Sequence, residues 1–140
     1  MRRFPGSKRH PQFGQAALSA SLEQNAIAYR WLPSLGGRRK PRADSPNSAW
    51  RNASFRGYAD HIESEEFGKG FEELLELAGR LRTAIMCAEA PWWRCHRALI
   101  ADVLRARGIE VVHILDARHS VPHPFTSAAR IVDGRLSYAG

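Results

Sequence analysis

Residues 83–115 constrain the fold more than any other stretch, because their pattern predicts a strand, a loop, a helix and a second strand in succession. The apolar run at residues 84–86 is typical of a strand buried on both faces, and residues 109–115 are rich in β-branched side chains. Between them, apolar residues recur at helical spacing, and Gly108 is placed to end the helix in the left-handed conformation. This βαβ unit predicts parallel strands, and open α/β sheets bind ligands at their carboxyl edge.

Weaker patterns add elements on both sides of this unit. Residues 13–25 fit one face of a helix, and residues 26–32 alternate in a way that predicts a strand near the sheet edge. Ser54 and Ser64 can each cap a helix, and the second helix has a clear apolar stripe. Residues 128–138 predict a hairpin, because an Asp-Gly pair favours a two-residue turn. The predicted fold class is α/β, with a mostly parallel sheet, helices on both of its faces and a C-terminal hairpin.

The composition is typical of one globular domain over residues 1–140. Its 44% hydrophobic and 25% charged residues can form a core without a disulfide or a metal. No run approaches the roughly 18 apolar residues of a membrane span, and no segment has the pattern of a signal peptide. We therefore expect a cytoplasmic protein that does not bind membranes. Its two cysteines are too few for a disulfide framework and lack the CxxC spacing of a zinc ribbon.

Positive charge is concentrated in the first 57 residues. The net charge is +7, and residues 1–57 hold eleven Lys and Arg against two acidic residues. This asymmetry favours an anionic partner such as nucleic acid, a nucleotide or another phosphate, although a solvated basic face also explains it.

Residues 33–57 form the longest stretch without a secondary-structure pattern, and loops of this length are usually functional or mobile. A glycine pair there can present backbone N–H groups, and the following Arg38, Arg39 and Lys40 could close on an anion. The alternative is a flexible surface loop whose charges aid solubility.

The loop at residues 87–95 begins and ends with the two cysteines and suggests nucleophilic chemistry. Cys95 and His96 lie at the predicted start of a helix, where free N–H groups and the helix dipole lower the pKa of a thiol and attract anions. Cys87 follows the preceding apolar run. The alternative is that each cysteine is a small buried apolar residue.

Arg97 and two tryptophans in or next to this loop each allow two interpretations. Arg97 is disfavoured at the positive end of a helix, so a negative group should lie beside it. That group is either the Glu89 carboxylate, in a purely structural salt bridge, or a bound anion. Trp92 and Trp93 could stack on a base, or they could pack the loop onto the core.

A metal site is a further alternative. Cys87, Cys95 and His96 could converge as ligands, with His119 or His123 as a fourth. Because this is not a recognised ligand spacing, we assign no metal from the sequence.

The segments CAE and CHR, at residues 87–89 and 95–97, closely resemble the signature of the bacterial domain of unknown function 488 family. The resemblance extends to RRFPGSKRHPQF, LPSLGGRRKPR and FRGYADHIESEEF, and so spans essentially the whole chain. It implies a Rossmann-like three-layer α/β fold and no established activity. By the family's motif, a shared site would be lined by Arg3, Pro5, Ser7, Cys87, Glu89, Cys95, His96 and Arg97.

Members of this family look as if they begin with a strand–helix–strand unit that this chain lacks. We therefore expect an N-terminally truncated domain with an exposed apolar sheet edge. Such an edge predicts a homodimer, because an unpaired strand is a template for another strand.

The leading functional hypothesis is an intracellular, enzyme-like protein that binds an anionic substrate, such as a nucleotide or a nucleic-acid component, at this loop. Its expected catalytic residues are Cys87, Glu89, Cys95 and His96. Its expected substrate-binding residues are Arg3, Ser7, Arg38, Arg39, Arg94 and Arg97. The alternatives are a structural domain and a non-catalytic nucleic-acid-binding module that uses the basic first 57 residues with Tyr29, Trp31 and Trp50. The sequence leaves the reaction and any cofactor open.

Overall fold

The computed structural model describes residues 9–87, 89 and 91–140. Its α-helices are α1 Gln15–Gln24, α2 Ala53–Ile62, α3 Glu65–Arg80 and α4 Arg97–Ala106. Short 3₁₀ helices lie at Pro11–Phe13, Pro33–Leu35 and Trp92–Arg94. The strands are β1 Val112–Ile114, β2 Ser120–Pro122, β3 Arg130–Val132 and β4 Arg135–Ser137. Within these described ranges the strands form two antiparallel pairs, β1 with β2 and β3 with β4.

The predicted parallel α/β sheet and the Rossmann-like three-layer arrangement are wrong. Residues 26–32 and 84–86 form no strand, and the strand predicted at 109–115 shortens to β1, which pairs with β2 in a hairpin. A strand persists only where a neighbour satisfies its backbone N–H and C=O groups, and periodicity does not reveal that neighbour. The side chain of Ile85, predicted to lie in a central strand, instead packs against a largely helical core.

The helices follow their sequence patterns more closely. Ser64 caps α3 as predicted, because its hydroxyl oxygen accepts the Phe67 N–H at 3.1 Å. The start of α2 differs from the prediction. The side-chain oxygen of Asn52 accepts the N–H groups of both Ser54 and Phe55, at 2.9 and 3.2 Å, so the helix is capped before Ser54.

The core lies among α2, α3 and α4. Tyr58, Phe67, Phe71, Leu99 and Ile100 are each at most 3% exposed. The stripe predicted for α3 is confirmed, and its two phenylalanine rings stack with centroids 5.5 Å apart. Burying an apolar side chain of this size stabilises a fold by about 1.5–3 kcal/mol relative to exposure, so these helices build a core without a central sheet.

A buried carboxylate fixes part of the long irregular stretch against α2. Asp60 Oδ1 accepts the Ser45 hydroxyl at 2.5 Å and the Asn47 side-chain N–H at 2.7 Å, and Oδ2 accepts the Arg42 backbone N–H at 2.8 Å. Residues 42–47 of this stretch are therefore tied to α2, which the absence of a secondary-structure pattern did not indicate.

We expect Asp60 to make stability depend on pH. Burial acts to raise its pKa, but hydrogen bonds from Ser45, the Arg42 backbone and Asn47 together hold it below the usual value. A carboxyl group with a lower pKa in the folded chain stabilises the fold above its unfolded pKa, and that contribution is lost as the pH falls. Urea denaturation should show that Asp60→Asn has a much lower free energy of unfolding than wild type at about pH 7. This difference in free energy should shrink at about pH 3. If the difference in free energy of unfolding were the same at both pH values, Asp60 would not be the source of the pH dependence.

The C-terminal hairpin is confirmed. β3 and β4 pair in register, with Ile131 opposite Leu136, and the turn between them uses positive φ angles at Asp133 (51°) and Gly134 (76°). Gly108 likewise adopts φ 79° beyond α4, as predicted. No helix in the described part of the chain is long and apolar enough to cross a membrane.

Dimerisation through a sheet edge stays a prediction. Ile114 of β1 is 73% exposed and the adjacent Leu115 is 53% exposed, so apolar surface does surround this strand. Sedimentation equilibrium should give the mass of a dimer of the 15.7-kDa chain. The Ile114→Lys variant should have the mass of a monomer, because a charge on this strand disfavours pairing with another strand. A wild-type monomer at every concentration would contradict the expectation.

Candidate functional site

Both cysteines and the histidine after the second one form a compact cluster. The ligand atoms of Cys87, Cys95 and His96 all lie within 4.8 Å of one another. The 3₁₀ turn Trp92–Arg94 precedes Cys95, which is 2% exposed, whereas Cys87 and His96 are half-buried. Three of the predicted site residues are thus brought together.

Arg97 contacts the sulfur of Cys95 from the first turn of α4. Its backbone N–H and its guanidinium Nε each donate to Cys95 Sγ at 3.4 Å, and its Nη2 donates to the backbone carbonyl oxygen of Glu89. We expected either the Glu89 carboxylate or a bound anion beside this cation. The structure instead places the Cys95 sulfur and a backbone carbonyl oxygen there, and both accept hydrogen bonds from the guanidinium.

The two thiols share a hydrogen bond that separates their acidities. This bond from Cys95 lowers the pKa of Cys87 to about 5, and the Glu89 backbone N–H and the charge of Arg97 also lower it, against the effect of burial. The same bond, together with burial, raises the pKa of Cys95. The pair therefore loses its first proton easily and retains its second.

The loop with the glycine pair packs on the imidazole of His96. A Cβ atom at Gly37 would lie 2.8 Å from His96 Nδ1, closer than real Cβ contacts, so glycine suits this position. The Tyr58 ring is also near, with its centroid 5.0 Å from that of His96, and its hydroxyl donates to the Leu35 carbonyl oxygen at 2.7 Å. Both sequence interpretations of the glycine pair missed this packing role.

The predicted charge-binding residues do not all reach the cluster. Arg39 is held elsewhere, because its guanidinium pairs with Glu66 at 3.3 Å and donates to two backbone carbonyl oxygens of residues 33–36. Arg38 and Arg94 are exposed. Two members of the predicted set lie outside the described residues: Arg3 and Ser7.

Arg38 contributes to a basic cavity of about 470 Å³ beside α2. The cavity is lined by Arg38, Arg39, Lys40, Arg42, Gly57, Asp60 and His61. Two of its four cations have acidic partners: Arg39 pairs with Glu66 and Arg42 pairs with Glu63, each at 3.3 Å. Since Gly37 touches His96, the basic segment begins next to the cysteine cluster.

A second, largely buried network of titratable groups joins α4, β1 and the residue after β2. His123 Nε2 is 2.7 Å from Asp102 Oδ1, and His123 Nδ1 is 2.7 Å from His113 Nε2. The His113 ring stacks on Trp92 with centroids 4.1 Å apart. Burial first, and then the charges of His123 and Arg97, lower the pKa of His113 to about 4, which keeps that ring neutral.

Sequence reasoning missed His113 and Asp102. A signal for Asp102 was present, since it lies among the apolar residues of α4, and a carboxylate there requires buried partners. The two histidines considered as a fourth metal ligand are engaged away from the cysteines: His123 contacts Asp102, and His119 Nδ1 lies 2.8 Å from Asp116 Oδ2.

The chain matches the domain of unknown function DUF488 over residues 1–104. No curated protein and no solved structure matches it. The matched range contains the cysteine cluster, α1 to α3 and most of α4. Because this range covers well over half of the sequence, the chain belongs to the DUF488 family, as its CAE and CHR segments predicted.

Proposed function

We propose that Cys87, Cys95, His96 and Arg97 form the binding site of an anionic ligand and that the two thiols are its reactive groups. The observation that carries the proposal is the pair of 3.4 Å contacts from the Arg97 backbone N–H and guanidinium Nε to Cys95 Sγ. Donors that converge on one point favour negative charge there, and the charge of Arg97 also lowers the pKa of the neighbouring Cys87, so Cys87 Sγ is the sulfur with thiolate character. Such a sulfur is a candidate nucleophile.

Neighbouring side chains suit the same role. Arg94 is exposed in the turn before Cys95, and Arg38 follows the glycine that touches His96. Their charges would draw an anion towards the cluster. Glu89 is exposed and next but one to Cys87, so its carboxylate would accept or deliver a proton on the bound ligand.

The proposal is tested by protection of the thiols. Inorganic pyrophosphate and a nucleoside monophosphate serve as probes, and peptide mass spectrometry follows alkylation of both cysteines by iodoacetamide. Each anion should slow alkylation in wild type and have no effect in Arg97→Gln. Arg118→Gln, which removes an exposed arginine between β1 and β2, is the matched control and should keep the protection. Equal alkylation rates with and without both probes in wild type would contradict the proposal.

The basic cavity favours a second function, the binding of single-stranded nucleic acid. Among the described residues, Arg38 and Lys40 have no carboxylate partner, so their charges are available to phosphates. Trp50 is not available for stacking on a base, because it packs against Phe55 and Tyr138.

A labelled single-stranded oligonucleotide tests this second function by fluorescence anisotropy. Binding should weaken steeply with salt and should be lost when Arg38→Gln and Lys40→Gln are combined. The matched control combines Lys69→Gln and Arg80→Gln, which remove the same charge from the exposed face of α3. Equal loss of binding in both double variants would show that only overall charge matters and would overturn the assignment to the cavity.

A further inference from the structure

We infer that Cys87, Cys95 and His96 bind one divalent cation of the zinc class, with a fourth coordination position left open. The inference uses residues of the proposed anion site, but it can hold or fail separately from that proposed function. It is carried by the spacing, the chemistry and the surroundings of the three ligand atoms.

The spacing matches one edge of a tetrahedral site. Zinc binds thiolate sulfur at about 2.3 Å and imidazole nitrogen at about 2.0–2.1 Å, so these two ligands lie about 3.6 Å apart around one ion. Cys95 Sγ and His96 Nδ1 are 3.6 Å apart. Cys87 Sγ lies within 4.8 Å of both atoms and is hydrogen-bonded to Cys95. One ion can therefore contact all three atoms with only local side-chain adjustment.

The donor set selects the class of cation. Two sulfurs and an imidazole nitrogen favour zinc over magnesium or calcium, which prefer oxygen ligands. Three protein ligands are typical of zinc sites that keep a position for water or substrate, whereas structural sites use four.

The surroundings of the cluster also suit a bound cation. The backbone N–H and the Nε–H of Arg97 both donate to Cys95 Sγ. Such outer hydrogen bonds orient and stabilise a ligating thiolate. Gly37 leaves space beside the ligating nitrogen, since a Cβ there would lie 2.8 Å from His96 Nδ1. Two thiolates would balance the charge of the ion, so Arg97 would not face a net positive site.

A bound cation would change the chemistry of the cluster. Its open position would bind water or an oxygen of an anionic ligand and polarise it. Both sulfurs would become ligands and would stop reacting with electrophiles. Metal-free and metal-bound protein therefore differ in thiol reactivity, which can be measured without a known substrate.

Cobalt titration of the metal-free full chain tests the inference, because Co²⁺ replaces zinc and reports its geometry. We expect one ion per chain, the strong visible absorption of tetrahedral Co²⁺ and a sulfur-to-cobalt charge-transfer band. Zinc should displace the cobalt and block iodoacetamide labelling of both cysteines. His96→Gln should lose the tetrahedral spectrum, and Gly37→Ala should weaken zinc binding about 10- to 100-fold, as disturbed outer contacts usually do.

Control variants keep the test decisive. His119→Gln removes an exposed histidine outside the cluster and should bind cobalt like wild type. Circular dichroism checks that each variant is folded, and Cys87→Ser, at a half-buried position, is used if Cys95→Ser unfolds the chain. An absence of cobalt binding, a weak octahedral spectrum, or a tetrahedral spectrum that survives Cys87→Ser would overturn the inference.

Pyrophosphate protection separates this inference from the proposed function. Protection of the thiols without any cobalt binding would support the anion site and exclude the metal site. Tetrahedral cobalt binding, together with thiols that neither anion protects in the metal-free protein, would support the metal site and contradict the proposed function.

Discussion

Replacing Asp102 with alanine should lower the free energy of unfolding by about 3–5 kcal/mol. The carboxylate is 0% exposed and accepts hydrogen bonds from the Tyr138 hydroxyl at 2.8 Å and from the Thr126 hydroxyl and N–H at 2.6 and 3.0 Å. It also contacts His123 Nε2 at 2.7 Å. Removing the carboxylate leaves the buried Tyr138 and His123 and the half-buried Thr126 without their partner, and that desolvation penalty dominates the expected loss.

Urea denaturation measures this effect, and a second aspartate supplies the control. The side chain of Asp44 is 88% exposed, so Asp44→Ala should change the free energy of unfolding by at most about 0.5 kcal/mol. Asp102→Asn should lower the free energy of unfolding less than Asp102→Ala does, because the amide oxygen can still accept the hydrogen bonds made to one of the two carboxylate oxygens. If Asp102→Ala were no worse than Asp44→Ala, the buried network would not support the fold as described.

Gly57→Ala should destabilise the protein by about 1–3 kcal/mol or more. A Cβ atom at this position in α2 would lie 2.1 Å from the Arg39 carbonyl oxygen and 2.7 Å from the Lys40 carbonyl carbon. These are backbone atoms, so no side chain can rotate to make room. The segment cannot move away easily either, because Asp60 binds the Arg42 backbone N–H at 2.8 Å.

Gly68→Ala is the matched control for this change. Gly68 lies inside α3, and a Cβ there would meet nothing within 4 Å. The substitution should therefore stabilise the protein by about 0.5–1 kcal/mol, because alanine loses less conformational freedom in a helix than glycine does. Thermal unfolding of both variants gives the comparison. If both substitutions changed the melting temperature equally and in the same direction, α2 would not pack on residues 39–40.

Local signals were sufficient to predict the helices. The cap at Ser64 and the stripe that includes Phe67 and Phe71 depend on residues within a few positions of one another, so the sequence contains all the information that they need. The same holds for the Asp133–Gly134 turn of the final hairpin. The start of α2 was misplaced because Asn52 and Ser54 are both good caps, and only the backbone geometry decides between them.

Sheet pairing was not predictable, because it depends on distant partners. The run at residues 84–86 looks like a buried strand, but its expected neighbour, β1, pairs with β2 instead. Asp102 is similar, since its partners His123, Thr126 and Tyr138 follow it by 21 to 36 positions.

The candidate site was predicted in part, because its main residues are close in sequence. Cys95, His96 and Arg97 were expected at a helix start and are found there. The contact of Gly37 with His96 joins segments far apart in the chain, and no local pattern announces it. Arg39 was assigned to the site by charge alone, whereas its position depends on Glu66, a residue on a different element.

Phenylarsine oxide tests the juxtaposition of Cys87 and Cys95 most directly, because its single arsenic atom bridges two thiols only when they are close together. One equivalent should remove both thiols from a colorimetric thiol titration of the native protein. Its affinity should be at least about tenfold higher in the native state than in urea, because folding raises the effective concentration of one thiol near the other. Two thiols that react independently, or equal affinities in the native and denatured states, would contradict a shared cysteine site.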